Sequence, residues 1–411
     1  MALVVKLAWR SLWRNPRRTL IALASLALGV ALVVFFESLR RGAFAQLVER
    51  AVRTQGGHLS LEHPDYRQEP SVERTLAGAE DLRRRIARLD GVAGARIFVC
   101  GPALLKTGAG SAVALVVGVE PAVEAVESPL ARRLVAGRYL AADDGRAAVL
   151  GRELARTLRV EPGRKVVVAT TTRAGQMEEQ LARVEGVFAL GAPELDGYLV
   201  QVPLAFAREL FGLAAGEATQ IGVLARDPAR LEPLARRLRE QAAGQAVAVR
   251  SWQETMPDVA AFIQVYNAAN AIQKGLLLGL VLLSVLNVLL MSVLERQKEF
   301  AVLLALGTPL RQLRAQVFLE CAFLGLLGCA AGLALGAAAA QAGGVHGIDL
   351  GRFMAEGTTL GGHAYDLLLR PRPSPAILLG VGGVVLGATL GLSLVPLRLL
   401  GRVRPAPWLR G

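Results

Sequence analysis

The sequence predicts a membrane protein with four transmembrane α-helices and a large α+β extracytoplasmic domain inserted between helices 1 and 2. Three observations predict it. The chain of 411 residues is 53% hydrophobic, with a mean hydropathy of +0.41, too apolar for an ordinary soluble protein. Its longest apolar runs are four, each able to cross about 30 Å of hydrocarbon at about 1.5 Å per residue. The net charge of +13 is also unevenly placed. Residues 1–18 carry five basic groups and no acid, the 295–314 segment four basic against two acidic, and the tail from Arg398 four basic and none acidic. The 37–273 segment is nearly balanced, with 30 basic and 28 acidic residues. Basic short segments opposite a near-neutral large one follow the positive-inside pattern. The excess charge therefore reports topology and argues against a nucleic-acid partner.

In chain order, residues 1–18 form a basic cytoplasmic N-terminus and 19–39 the first span. Thr19 to Phe36 is free of charge, longer than a signal-peptide core, and Glu37-Ser38-Leu39-Arg40 is no small-residue cleavage site. Residues 40–272 form the extracytoplasmic domain. Short β-branched runs recur at Val113–Val117, Lys165–Val168, Val184–Leu190, Tyr198–Val202 and Ile221–Leu224, punctuated by Gly101-Pro102, Glu161-Pro162-Gly163 and Gly191-Ala192-Pro193. Amphipathic stretches at Ala79–Leu89 and Pro228–Gln241 read as helices. Ser251 to Lys274 reads as a helix returning to the membrane, and the size of the domain allows two lobes.

The second span is 273–294, with Gly275 to Leu294 free of charge. It runs into a cytoplasmic turn, 295–312, opened by Glu295, Arg296, Lys298 and Glu299. The third span is 313–342, a loop of mixed charge fills 343–373, the fourth span is 374–397, and 398–411 is a cytoplasmic tail. Four spans with an inside start place both termini in the cytoplasm. Gly328, Gly332 and Gly336 in the third span, and Gly383, Gly387 and Gly391 in the fourth, repeat every four residues. Such spacing serves close helix packing, either within one subunit or at a dimer seam. Asn287 in the second span hydrogen-bonds either across a helix interface or locally. For Glu37 and Glu320, near span ends, snorkelling to the interface is the simpler account.

No enzyme site is legible. The chain has no GxxxxGK[ST] phosphate loop, so it does not carry its own ATPase of that type. No serine lies in a GxSxG elbow. His58 and His63 lie five apart, on opposite faces if the segment is a strand, so a surface role is expected rather than a metal site. Asp143-Asp144 before Gly145 reads as a turn. Cys100 is alone in the large domain, which therefore has no internal disulfide. The 295–307 turn reads as an amphipathic helix. Its apolar residues Phe300, Val302, Leu303 and Leu306 either rest on the membrane surface or fill a groove on a partner.

The wording of several segments resembles ABC-transporter permeases of the MacB/FtsX/lipoprotein-releasing type. Ala8-Trp9-Arg10-Ser11-Leu12-Trp13-Arg14-Asn15-Pro16-Arg17-Arg18-Thr19-Leu20 looks like the start of these proteins. Glu295 to Thr308, ERQKEFAVLLALGT, looks like their cytoplasmic turn, and Arg311 to Glu320 like the segment after it. Pro396 with Arg404-Pro405-Ala406-Pro407-Trp408-Leu409-Arg410 is similar to their close, and Gly118–Pro121, Gly137–Leu140 and Val149–Ala155 to their middle. The resemblance implies an inner-membrane permease that works as a dimer with two separate ATPase subunits and converts their closure into motion outside the membrane. Glu295, Arg296, Glu299, Phe300, Leu303 and Gly307 map onto the turn that contacts the ATPase. No cofactor is implied beyond Mg-ATP on that partner. Within the family the chain is closest to lipoprotein-releasing permeases, so the implied cargo is lipoprotein or lipid-like. The segment Thr170–Met177 is short and lacks the proline of the carrier-binding hook. The alternatives are an efflux permease of the MacB kind, with a periplasmic adaptor, and an FtsX-like regulator of a cell-wall hydrolase.

Overall fold

The computed structural model describes residues 2–68, 71–349, 359–360, 363–364 and 368–400. The closing motif from Arg404, with Arg402 and Arg410 of the basic tail, lies outside the described residues, as does most of the 350–367 loop. The helices, in order, are α1 (Ala2–Leu12), α2 (Pro16–Gln55), α3 (Ala79–Ala87), α4 (Pro121–Glu127), α5 (Arg152–Thr157), α6 (Pro193–Asp196), α7 (Leu204–Phe211), α8 (Leu231–Gln241), α9 (Trp252–Thr255), α10 (Pro257–Leu294), α11 (Gln297–Ala305), α12 (Leu310–His346), α13 (Pro375–Leu392) and α14 (Leu394–Leu400). The main strands are β1 (Leu59–Glu62), β2 (Val92–Thr107), β3 (Gly110–Val119), β4 (Leu134–Gly137), β5 (Ala147–Gly151), β6 (Lys165–Thr171), β7 (Met177–Phe188), β8 (Leu199–Pro203), β9 (Gln220–Ala225) and β10 (Ala248–Ser251). The chain divides into two compact units, one of residues 1–44, 265–350 and 367–411, the other of 45–264 with 351–366.

The first unit is helical. Among the described residues four helices are long and apolar enough to cross a membrane: Pro16–Thr54, Pro257–Asn287, Leu310–His346 and Pro375–Arg398. Their shared core includes Val30, Val34, Val285, Val317, Cys329 and Val385. α12 meets α2 through its glycines. A Cβ on Gly328 would lie 2.6 Å from the Leu26 side chain, one on Gly332 2.6 Å from Val30, and one on Gly336 2.8 Å from Val34. Those three glycines therefore seal a seam inside this chain, where only a missing side chain admits the neighbouring helix. α13 packs on α12 through different residues. Gly325 meets Thr389 and Gly382 meets Leu333, while Gly383, Gly387 and Gly391 have nothing within 4 Å of an added Cβ. The predicted stripe on the fourth span thus faces away from the other described helices. α2 extends well past its apolar stretch, to Gln55, and α10 begins at Pro257, well before its own.

The second unit is built on one mixed sheet in the order β10-β1-β9-β2-β3-β8-β5-β7-β4, with β6 pairing both β2 and β7. β2 organises it. Its first half pairs with β9, and its second half pairs with β3 on one edge and β6 on the other. This unit packs two apolar cores. The larger includes Leu59, Ile97, Leu105, Leu150 and Phe211, the smaller Phe98, Val149 and Phe188. The runs at Val113–Val117, Lys165–Val168 and Ile221–Leu224 fall within β3, β6 and β9, while those at Val184–Leu190 and Tyr198–Val202 overlap β7 and β8 and run one or two residues past them. Gly101-Pro102, read from sequence as a strand boundary, lies instead in the middle of β2. The glycine is there for close approach, since a Cβ would sit 2.6 Å from the Phe211 ring.

Candidate functional site

The turn singled out by sequence is α11 with its flanks. α10 ends at Leu294, and Arg296 stands at the N-cap of α11. The helix closes at Gly307, whose φ of 92° is in the left-handed region. Thr308 N donates to Leu303 O (3.0 Å) and Gly307 N to Leu304 O (3.1 Å), the paired bonds that end a helix on glycine. Gly307 therefore terminates the helix; its contribution to the turn is backbone geometry. Pro309 then caps α12.

Phe300 corrects the surface reading of this helix. It is 1% exposed and belongs to the core of the helical unit, while Val302, Leu303 and Leu306 are 47%, 36% and 78% exposed. The helix is amphipathic with Phe300 and Ala301 turned inward, so Leu303 and Leu306, not Phe300, are accessible to another molecule.

Beneath α11 lies a cluster of charges centred on Arg296. Its guanidinium donates to both oxygens of Glu320 on α12 (3.0 and 3.1 Å), to Glu299 (3.1 Å) and to Ser11 Oγ on α1 (2.7 Å). It also stacks over the Phe300 ring at 5.1 Å. Arg14 pairs with Glu299 and Arg18 with Glu295. Gln316 donates to Glu320 (3.2 Å), and Thr19 Oγ1 to the Leu12 carbonyl (2.6 Å). The hydrogen bond from Arg14, then that from Arg296, holds the Glu299 carboxyl below the usual carboxylate range against the opposing effect of burial. This cluster ties α1, the start of α2, the turn and α12 into one charge-assisted network. Buried Glu320 is thus fixed by Arg296, which replaces the expectation that it snorkels.

A second cluster lies where α2 and α10 run side by side. Buried Glu37 pairs with Arg40 (2.8 Å) and Lys274 (3.3 Å) and accepts from Asn270 (3.4 Å), while Arg40 reaches Asn267 (2.6 Å). Glu37 is likewise paired rather than snorkelling. Asn287 is exposed on α10, and no other described residue hydrogen-bonds its side chain. Of the residues predicted from sequence, Glu295, Arg296 and Glu299 are brought together, and Phe300 sits directly under them. Leu303 stands apart on the open face. Sequence reasoning missed Ser11, Arg14, Arg18 and Gln316 as members. The available signal was a run of polar residues flanking the first span, facing a carboxylate placed inside the third.

Within the second unit, His58 is buried, and its Nδ1 accepts the Ala225 amide (3.2 Å). Among the described residues no group of three or more His, Cys, Asp or Glu side chains is arranged to hold a metal.

Residues 19–241 match the family model of the MacB-like periplasmic core domain, and residues 275–405 that of the FtsX-like permease C-terminal region. The chain belongs to the MacB/FtsX family of ABC-transporter permeases. It is 25% identical over 328 residues to the lipoprotein-releasing system transmembrane protein LolC of Neisseria meningitidis, covering 77% of this chain and 76% of that protein. It is 24% identical over 338 residues to the corresponding LolE of Haemophilus influenzae, covering 79% and 78%. The crystal structure of the periplasmic region of MacB from Actinobacillus actinomycetemcomitans aligns with 54% of this chain and 98% of its own, at 13% identity and a TM-score of 0.37.

Proposed function

We propose that this chain is the permease subunit of an inner-membrane ABC transporter that works by mechanotransmission, releasing lipoproteins or lipid-like cargo at the periplasmic face. The observation that carries it is the Arg296 network, which binds α11 to α1, α2 and α12. A push on α11 is thereby shared by two of the spans at once. In this reading the exposed face Val302–Leu303–Leu306 docks a separate ATPase subunit, one on each of two permeases, in the helix-in-groove manner. Mg-ATP belongs to that partner, and this chain is not itself an enzyme.

The positive-inside distribution supports cytoplasmic termini and a cytoplasmic α11. The 45–264 unit then stands in the periplasm, inserted between the first and second spans. The outward Gly383–Gly387–Gly391 stripe is offered to the second permease subunit, whether the same chain or a related one. Lipoprotein cargo is supported by the LolC and LolE relatives, which are transmembrane proteins of lipoprotein-releasing systems. A periplasmic carrier or adaptor is a partner to be sought in the same pull-down, the Thr170–Met177 segment lacking the proline of the carrier-binding hook.

The test is a pull-down from detergent-solubilised membranes, comparing wild type with a Leu303→Asp, Leu306→Asp double variant. An ATPase subunit is expected with wild type and lost from the variant, and the co-purifying cargo identifies the transport class. Absence of any ATPase from both samples would remove the transporter reading. Phe300 is unsuitable for this purpose, because an aspartate there would disrupt the core rather than the surface.

A further inference from the structure

We propose that the 45–264 unit carries an anion-binding pocket for a phosphate-bearing ligand, formed by Arg152, Arg156, Arg159 and Arg164 around the turn after α5. These exposed residues line a shallow, open concavity of about 550 Å3 in which Glu161 is the single lining carboxylate. Its floor is apolar, with Ala155, Val160 and Val187 all buried.

Guanidiniums gathered on one concavity repel one another unless anions neutralise them. Elsewhere on this unit Arg138 pairs with Asp144, Arg146 with Glu209 and Arg173 with Glu217, whereas the exposed Arg85, Arg88 and Arg236, which stand outside this concavity, form no ion pair with a described residue. In the pocket, Arg159 and Arg164 form no ion pair with any described residue, Arg152 forms no close ion pair but lies within electrostatic reach of buried Asp196, and Arg156 has only Glu153 at 3.8 Å. Four planar forks present more donors than the two oxygens of a carboxylate can accept. A phosphate ester or diphosphate, with three or more terminal oxygens, matches them bidentately. The apolar floor suits the organic part of such an ester.

The backbone gives a second, independent observation. Arg159 has φ 47° and is the single non-glycine residue at positive φ among those described. Arg159 N donates to Arg156 O (3.2 Å) and Val160 N to Ala155 O (3.0 Å), so α5 ends in the left-handed turn that α11 makes with Gly307. Glycine is the low-strain residue at this position. An arginine held there against its backbone preference places a guanidinium on the pocket, the kind of strain that collects at ligand sites.

The site is tested by titrating the full-length chain in an uncharged detergent, using calorimetry. One arm uses inorganic pyrophosphate and the other a water-soluble short-chain phosphatidylglycerol. Arg159→Gly is expected to weaken binding about tenfold, the loss of one charge-assisted hydrogen bond, while raising the unfolding temperature because glycine relieves the strained φ. Arg152→Ala with Arg164→Ala should abolish binding. Saturation by pyrophosphate alone assigns a free phosphate ligand, and saturation by phosphatidylglycerol assigns a lipid headgroup. If neither probe saturates the wild-type chain, or if both variants bind as wild type does, the proposal is overturned. No ATPase or cargo enters the measurement, so its outcome is independent of the transport reading.

Discussion

Arg96 shows how much a single side chain can organise. It is 2% exposed on β2 and donates to Glu124 of α4 (3.1 Å), also 2% exposed, and to the carbonyl of Arg53 near the end of α2 (3.0 Å). Gln201 and Tyr139 extend the network, Tyr139 donating to Gln201 at 2.5 Å. Removing one partner leaves the other charge buried and alone. Arg96→Ala should therefore cost about 3–5 kcal/mol, read as a shift in denaturant midpoint with an unchanged slope; a loss below about 1 kcal/mol would mean that water enters the site. His58 makes the stability of the same unit depend on pH. Burial, opposed by Glu49 and reinforced by Arg53, pushes its imidazole below the ordinary histidine range. The unfolded chain therefore takes up a proton before the folded one does. Stability is retained above about pH 6.5 and falls as the pH drops from there toward the lower folded value. Melting curves between pH 7.5 and 5 should show this fall, and His58→Asn should reduce it, since the amide oxygen can still accept from Ala225 without titrating.

Among the elements, α12 is the most exacting. Its glycines touch α2 so closely that any side chain must displace Leu26, Val30 or Val34. Gly332→Leu should destabilise the helical unit by about 1–3 kcal/mol through overpacking and lower the amount of folded protein recovered in detergent. Gly387→Leu, on the open face of α13, should leave that yield unchanged. Equal losses for both would show that the second stripe is also enclosed within the subunit. α11 carries a related lesson. Its amphipathic pattern, charged start and closing glycine are all legible in ERQKEFAVLLALGT. Which apolar residue turns inward depends on Arg296, because the stacked guanidinium and the Glu320 pair rotate Phe300 beneath them.

In the molecule as a whole, α2 is 40 residues long without a break, about 60 Å of continuous helix. It carries the Arg18 pair near its start, Glu37 and Arg40 along its length, and the Arg53 carbonyl near its end. In the proposed transport cycle it is the natural carrier of motion out of the membrane. Inserting Gly-Gly-Ser-Gly between Ala45 and Gln46 should leave ATPase binding and ATP hydrolysis intact while abolishing cargo release from proteoliposomes. Release at the wild-type rate would show that motion travels by another element.

Several properties follow from the sequence alone because they rest on local chemistry. The apolar runs are about as long as the hydrocarbon core of a bilayer is thick, so four helices of membrane-spanning length were readable. Short β-branched runs punctuated by glycine and proline marked five strands, and the basic flanks set the expected topology. The long strand β2 was hidden because Gly101-Pro102 reads as a turn until Phe211 is seen to occupy the space of the missing side chain. The charge networks were hidden for a similar reason. Arg14 and Glu299 stand far apart in sequence, and no periodicity within one element shows that they meet. Glycine spacing announced that helices approach one another, yet not which helix fills the gap. The partner sets that, and only the tertiary structure shows Gly332 against Val30 and Gly387 against none of the described residues, since spacing encodes a face of one helix while contact needs two.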